Sequence, residues 1–193
     1  MRNYVLAALL AGTIATPAIA QDAPAQGGGF RVEGVVGYDR PSIENDEGDG
    51  VLYGVGVGYD FQAGNAVLGI EAEATDSTSD ECQTDFAATG DELCAVIGRD
   101  LYVGGRVGAM VGGTLLYAKA GYTNARVGID YEDGTAATLT DFNLRENLDG
   151  VRVGGGAQFN VGTNSYIRTE YRYSNYENDF DRHQVVGAFG FRF

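Results

Sequence analysis

The ionisable residues of this sequence recur at every second position along several segments. Glu170, for example, lies between Arg168 and Arg172, with one other residue on each side. Paired carboxylates could act as a general acid and base, and a row of charges could form an ion path. Another interpretation is a set of ion pairs that neutralise one another away from water. The charged residues in this pattern are Arg31, Glu33, Asp39, Asp60, Glu71, Glu73, Arg106, Lys119, Arg152, Arg168, Glu170, Arg172 and Arg192.

The composition of this set favours ion pairing over catalysis. Seven residues are basic and six are acidic, so the charges nearly cancel. Buried charges are costly unless they are paired, which makes a network the least expensive arrangement. We expect a polar core that fills an interior, with Glu170 at its centre.

The remaining patterns do not build a convincing active site. His183 is the only histidine, and Ser174 and Glu170 are its candidate partners in a hydrolase triad, but nothing places a nucleophile beside it. The acidic run at 44–49 lacks the spacing and the final glutamate of a calcium loop. The glycine runs at 103–106 and 154–156 lie within alternating segments and not at a phosphate-binding turn. We expect no enzyme, no cofactor and no metal.

Alternating segments of about ten residues predict β-strands. In the clearest one, residues 51–61, Val55 and Val57 share a face with Tyr53 and Tyr59, opposite glycines and Asp60. The predicted strands are residues 30–39, 51–61, 66–75, 101–111, 116–123, 151–161, 167–174 and 183–193. Strands with one apolar and one charged face can span a membrane only as a closed barrel, because an open edge would leave unpaired backbone groups in lipid.

The connections and the aromatic residues orient this barrel. Short links at 62–65, 112–113 and 162–164 alternate with mostly longer ones at 40–50, 76–99, 124–149 and 177–182. Short periplasmic turns and long extracellular loops are typical of bacterial barrels. The aromatic residues that fall at the periplasmic rim are Phe30, Tyr59, Phe61, Phe159, Phe191 and Phe193. Those towards the outer rim are Tyr38, Tyr53, Tyr122 and Tyr173. The fold class predicted is all-β: an eight-stranded antiparallel up-and-down transmembrane barrel.

The N-terminal residues predict export. Arg2 precedes an apolar run from Tyr4 to Ala11, and Ala18 and Ala20 form a small-x-small cleavage site, as in a secretory signal peptide. The run is much shorter than the roughly 20 residues of a membrane-spanning helix. We expect a cleaved signal peptide at 1–20, a flexible leader at 21–29 and the barrel at 30–193.

The two cysteines, Cys82 and Cys94, are the only ones in the chain. An even number in an exported chain predicts a disulfide, which for a loop of this size would stabilise the fold by about 3 kcal/mol. A metal site is the less favoured alternative, because no histidine lies near them.

The net charge of −14 is concentrated in the predicted long loops. These loops contain 19 acidic residues against Arg40, Arg99, Arg126, Arg145 and Arg182. Such a surface repels nucleic acid and attracts basic proteins, or divalent cations that bridge lipopolysaccharide.

The alternating strands, the run Glu170-Tyr171-Arg172-Tyr173 and the terminal Phe193 resemble small outer-membrane β-barrel proteins. These are the OmpA-like barrels and opacity-type surface proteins of the alphaproteobacterial porin family. The resemblance covers residues 30–193 and implies an integral protein of a Gram-negative outer membrane. It also implies that Phe189, Phe191 and Phe193 form the signal that the barrel-insertion machinery recognises. No catalytic or binding residue transfers from it.

Three functions are compatible with these patterns. The first is a non-enzymatic surface barrel with a plugged polar core. Its loops would contact lipopolysaccharide or a host or neighbouring-cell protein, and it would support envelope integrity. The second is a narrow diffusion pore. The third is an exported soluble barrel that binds a lipid, which would require the apolar faces to point inward.

Overall fold

The computed structural model describes residues 28–43, 46–47, 49–78, 80–84, 92–132, 142–177 and 180–193. The predicted signal peptide, with Ala18 and Ala20, and nearly all of the leader lie outside these residues. No helix long and apolar enough to cross a membrane is found in the described part of the chain.

The described chain forms ten β-strands. Their bounds are β1 Gly29–Ile43, β2 Asp46–Glu47, β3 Gly50–Ala63, β4 Ala66–Ser77, β5 Asp80–Thr84, β6 Glu92–Val111, β7 Thr114–Glu132, β8 Phe142–Asn160, β9 Ser165–Tyr176 and β10 Phe180–Arg192. Strands β1, β3, β4 and β6 to β10 pair with their neighbours in chain order, and every pairing is antiparallel. Strand β10 also pairs with β1 from Arg31↔Arg192 to Ile43↔Phe180, which closes the sheet. The predicted eight-stranded antiparallel up-and-down barrel is confirmed.

Three strands are much longer than the sequence predicted. Strands β6, β7 and β8 have 20, 19 and 19 residues, whereas about 9 to 11 are enough to cross a membrane. The prediction that residues 76–99 and 124–149 are loops is therefore wrong in part. Beyond the membrane belt the apolar alternation of the sequence fades, because lipid no longer contacts the outward face, but the backbone pairing continues from Ile97↔Val127 to Glu92↔Glu132. Strand β5 adds to β6 in the same region.

The two faces of the wall are inverted relative to a soluble protein. Val55 is 62% exposed and Ile70 is 65% exposed, whereas Arg31 and Arg172 are 0% exposed. The outward side therefore matches lipid, and the charged side fills the interior. Phe30 and Phe193 approach with ring centroids 6.3 Å apart at the end where the short turns lie.

Interior glycines make room for the large polar side chains. Gly58 lies directly opposite Arg31, and a β-carbon at Gly58 would lie 2.7 Å from the Arg31 guanidinium. Gly190 lies opposite Tyr166, and a β-carbon there would lie 2.4 Å from the Tyr166 ring. The side chains of neighbouring strands thus occupy the volume that the glycines leave empty.

Replacing Gly190 by valine should destabilise the barrel by about 1 to 3 kcal/mol, the usual cost of overpacking. The added methyl groups would meet Tyr166, which is fully buried and has nowhere to move. Urea unfolding followed by heat-modifiable gel mobility measures the change. Gly34→Val is the matched control, since a β-carbon at the outward-facing Gly34 meets nothing within 4 Å. Equal unfolding midpoints for the two variants would show that the interior is loosely packed.

Candidate functional site in the barrel interior

The centre of the interior is a cluster of ion pairs around Glu170. One carboxylate oxygen of Glu170, Oε1, lies 3.0 Å from Lys119 Nζ and 2.7 Å from Arg172 Nε. The other, Oε2, pairs with Arg168 and accepts a hydrogen bond of 2.6 Å from the Tyr117 hydroxyl. Three cations thus surround one carboxylate, and all four charged side chains are buried. The sequence analysis singles out Glu170 as the expected centre of a network, and in the structure three of the predicted core cations contact it.

Two further glutamates share these cations. Lys119 Nζ lies 2.8 Å from both Glu71 and Glu73, and Arg168 Nη2 lies 3.0 Å from Glu73. Arg168 also donates to both carboxylate oxygens of Glu33, from Nε at 3.0 Å and from Nη2 at 2.5 Å. This two-point contact is the strong geometry of an arginine–carboxylate pair.

The periplasmic side of the interior continues the network. Arg31 pairs with Glu71 and approaches Glu33 at 3.2 Å. Asp60 receives two contacts from Arg106, at 2.9 and 2.5 Å. Arg192, the last of the predicted core cations, stacks over the ring of Tyr166 at 5.4 Å.

The outer side of the interior holds a second cluster, centred on Asp100. Its Oδ2 pairs with Arg152, accepts from the Tyr176 hydroxyl at 2.9 Å and lies 3.1 Å from Arg182 Nη1. Arg182 also binds Asp39. The sequence analysis missed Asp100 and assigned Arg182 to a loop. The alternation of the strands could have identified both residues, because side chains two positions apart point to the same face. Asp100 lies two residues before the inward Tyr102, and Arg182 lies two residues before the inward Gln184.

The buried charges nearly balance. Among the described side chains, eight buried cations face seven buried carboxylates. The cations are Arg31, Arg106, Lys119, Arg152, Arg168, Arg172, Arg182 and Arg192, and the carboxylates are Glu33, Asp39, Asp60, Glu71, Glu73, Asp100 and Glu170. Each carboxylate has at least one cation within 4 Å, so proximity alone singles out none of them as a free acid or base.

Apolar clusters lie above and below this polar centre. On the outer side, Tyr176 and Phe180 stack at 5.3 Å and pack with Leu148 and Ala125. On the periplasmic side, Val67, Leu115 and Tyr117 pack together with Met110. The described side chains between these two clusters are therefore packed against one another, as expected for eight strands.

The candidate hydrolase triad is not assembled. His183 is on the outward face, where its Nδ1 lies 2.7 Å from the Tyr171 hydroxyl. Ser174 and Glu170 are buried on the inward face, and Ser174 accepts a hydrogen bond from Arg152. Opposite faces of one sheet cannot share a reacting atom. Among the described side chains, no group of three or more His, Cys, Asp or Glu residues is placed to hold a metal ion.

The two cysteines fall on paired backbone positions. Cys82 on β5 lies directly opposite Cys94 on β6. Directly opposite residues of antiparallel strands have Cα atoms about 4.5 to 5.5 Å apart, which is within the range that a disulfide spans. The side chains lie outside the described residues, so the disulfide stays a prediction.

A lipid-facing apolar wall around a charged, filled interior defines the chain as a transmembrane β-barrel of the small eight-stranded class. It belongs to the family described as "outer membrane protein beta-barrel domain", whose model matches residues 6–193. It is therefore an integral protein of the outer membrane of Gram-negative bacteria.

Several known proteins resemble it. It is 29% identical over 176 residues to a 22 kDa outer membrane protein of Rhizobium leguminosarum bv. viciae, covering 84% of this chain and 72% of that protein. The barrel superposes on the attachment invasion locus protein Ail of Yersinia pestis, solved with the heparin analogue sucrose octasulfate, with a TM-score of 0.61 and 14% identity. That match covers 86% of this chain and 99% of Ail. For neisserial surface protein A, the TM-score is 0.59 at 13% identity, covering 85% and 97%. These structures share the fold.

Replacing Glu170 by glutamine should cost about 3 to 5 kcal/mol of stability, because it leaves buried cations without their shared counter-charge. Chemical unfolding of the barrel in detergent micelles measures the loss. Glu177→Gln removes an exposed carboxylate and should change the unfolding midpoint very little. If both variants unfold at the wild-type midpoint, the network is solvated and does not support the fold.

Proposed function

We propose that the protein is a non-enzymatic, non-conducting surface barrel that acts through its acidic outer end and supports the integrity of the envelope. The observation that carries this proposal is the filled interior. Charged side chains such as Arg152, Arg168 and Glu170 are 1 to 3% exposed, and apolar clusters cover them at both ends. An interior occupied in this way offers neither a water-filled path nor an accessible acid or base.

The narrow diffusion pore is the second candidate, and the first test separates the two. Purified barrel inserted into planar bilayers should show no steady conductance, because an ion would have to break the pairs around Glu170 to pass. Leu115→Ala combined with Phe180→Ala removes bulk from both apolar clusters and should raise the frequency of brief openings. A robust and steady wild-type conductance would overturn the plugged-core proposal in favour of the pore.

The long strands supply an outer surface of paired backbone. Beyond the membrane belt, β6, β7 and β8 continue as paired strands, and β5 adds to them. Side chains link these strands as well: Arg99 contacts Asn124 at 3.3 Å and Asn147 at 3.4 Å, and Arg126 donates to Asn147 at 3.2 Å. A preorganised surface loses less entropy on binding than a flexible loop.

The charge of this outer end indicates which partners it suits. Asp49, Asp76, Glu146, Asp149 and Glu177 are all exposed there. Hydrogen bonds from Tyr122 and Asn124 hold the pKa of Asp149 below its usual range, so its carboxylate is ionised at neutral pH. Such a surface fits a basic region of a host or neighbouring-cell protein, or divalent cations that bridge to lipopolysaccharide.

The negative charge of the outer end argues against a polyanion as its partner. Ail was solved with a polysulfated heparin analogue, but like charges repel such a ligand from this outer end. We therefore propose neither a polysulfate nor a nucleic acid as the partner.

The surface interaction can be tested with the barrel in nanodiscs and cytochrome c as a basic probe. The triple variant Asp76→Asn, Glu146→Gln and Glu177→Gln should bind the probe at least threefold more weakly at low salt, because three attracting charges are lost. Arg145→Gln is the control of opposite sign and should bind it more tightly. Both differences should disappear in about 1 M salt, where the screening length falls to about 3 Å. Equal binding by all variants at low salt would rule out charge as the basis of recognition.

A further inference from the structure

The lipid-facing wall contains a hollow. It has a volume of about 640 Å³ and lies across β3, β1, β10 and β9. The hollow is shallow and open towards the lipid side. Its lining is apolar, and the side chains that border it are Val36, Tyr53, Val55, Ile167 and Phe189.

Two glycines create this hollow. Gly34 lies opposite Phe189, and Gly187 lies opposite Val36, so the two glycines are diagonal neighbours across the β1–β10 pair. A β-carbon at Gly34 would meet nothing within 4 Å, and one at Gly187 would meet only carbonyl oxygens at 4.0 Å. Side chains are thus missing at two diagonally adjacent points of the wall, between the large outward side chains of Val36 and Phe189.

The hollow lies halfway through the membrane. Gly34 is four residues from Phe30 and four from Tyr38, which belong to the two aromatic girdles. Gly187 is likewise four residues from Phe191 and four from His183. At about 3.3 Å per residue and a strand tilt of about 45°, four residues bring the chain roughly 9 Å along the membrane normal. The hollow is therefore continuous with the surface that contacts lipid hydrocarbon.

The charges at the two rims differ along these strands. The outer rim carries Asp49, which accepts from Tyr38, and Asp181, which accepts from Tyr173 at 2.8 Å, beside Arg40 and His183. Two carboxylates there repel a phosphate headgroup that is not bridged to them by a divalent cation. The periplasmic rim presents the uncharged side chains of Phe30 and Phe191. A lipid with a phosphate headgroup is therefore repelled less at the periplasmic rim than at the outer rim.

We infer that this hollow is a binding site for one acyl chain of a phospholipid from the periplasmic leaflet. A chain of half the bilayer thickness, about 15 Å, reaches from the inner girdle to the hollow. The acyl chain fills the space above Gly34 and Gly187, so it packs against backbone as well as side chains. This packing holds the lipid longer than the lipids around the rest of the wall.

The site can be tested in vesicles of phosphatidylethanolamine and phosphatidylglycerol that contain a trace of phosphatidylethanolamine with a diazirine acyl chain. Photolysis should label the segments 34–36 and 187–189 at least threefold more than the outward-facing residues of segment 116–120 on the far wall. The filled variant Gly34→Val with Gly187→Val should lose this enrichment. Gly105→Val, an outward glycine with space for a β-carbon, is the control and should keep it. Heat-modifiable mobility verifies that each barrel is folded.

Native mass spectrometry of barrels extracted from cell envelopes identifies the occupant. One retained phospholipid on the wild type and none on the filled variant would support the inference. Uniform photolabelling around the wall, or equal retention by the filled variant, would overturn it. Retention of lipopolysaccharide would also overturn it, by assigning the hollow to the outer leaflet. A dimer that disappears in the filled variant would assign the hollow to a second copy of this chain.

Discussion

The charges inside this barrel have to balance one another, because the wall around them faces hydrocarbon. Lys119 is shared by Glu71, Glu73 and Glu170, and Arg168 by Glu33, Glu73 and Glu170. Each of these charges would be expensive to bury alone, by several kcal/mol. The interior is thus not a set of independent pairs. The position of each strand is tied to that of its neighbours through carboxylates that several cations hold in common.

This constraint determines where small residues occur. Several of the large polar side chains that reach the middle of the barrel lie opposite a glycine on the next strand. Gly56 lies opposite Glu33, Gly58 opposite Arg31 and Gly190 opposite Tyr166. Glycine is normally unfavourable in a strand, because it loses conformational entropy and packs nothing. Here the side chains of neighbouring strands offset that cost by filling the space.

The sequence predicted the wall well and the connections poorly, for a physical reason. Between the girdles, lipid on one side and packed charges on the other enforce a period of two, so residues such as Glu33 and Arg106 could be assigned to the interior from their spacing alone. Beyond the girdles no lipid contacts the outward face, so the sequence need not alternate between apolar and polar residues. For this reason the sequence predicts loops where the outer halves of β6, β7 and β8 lie. Asp100 and Arg182 were missed because they lie at that boundary. The pairing of each cation with a particular carboxylate depends on the register and tilt of the strands. The alternation within a single strand does not reveal either.

The balance of charge constrains the core of the barrel much more than the outer end and the lipid-facing wall. Because every core carboxylate is held by cations, chemistry at the core would require breaking contacts that support the fold. Change at the outer end costs far less, since an exposed carboxylate such as Glu177 contributes little to stability. Substitutions in the lipid-facing wall at Gly34 and Gly187 would also cost little. Neither glycine supports an ion pair, and a side chain at either position would clash with nothing nearby. Packing within the barrel therefore does not account for two glycines at these positions, which is why we propose a lipid chain as their partner.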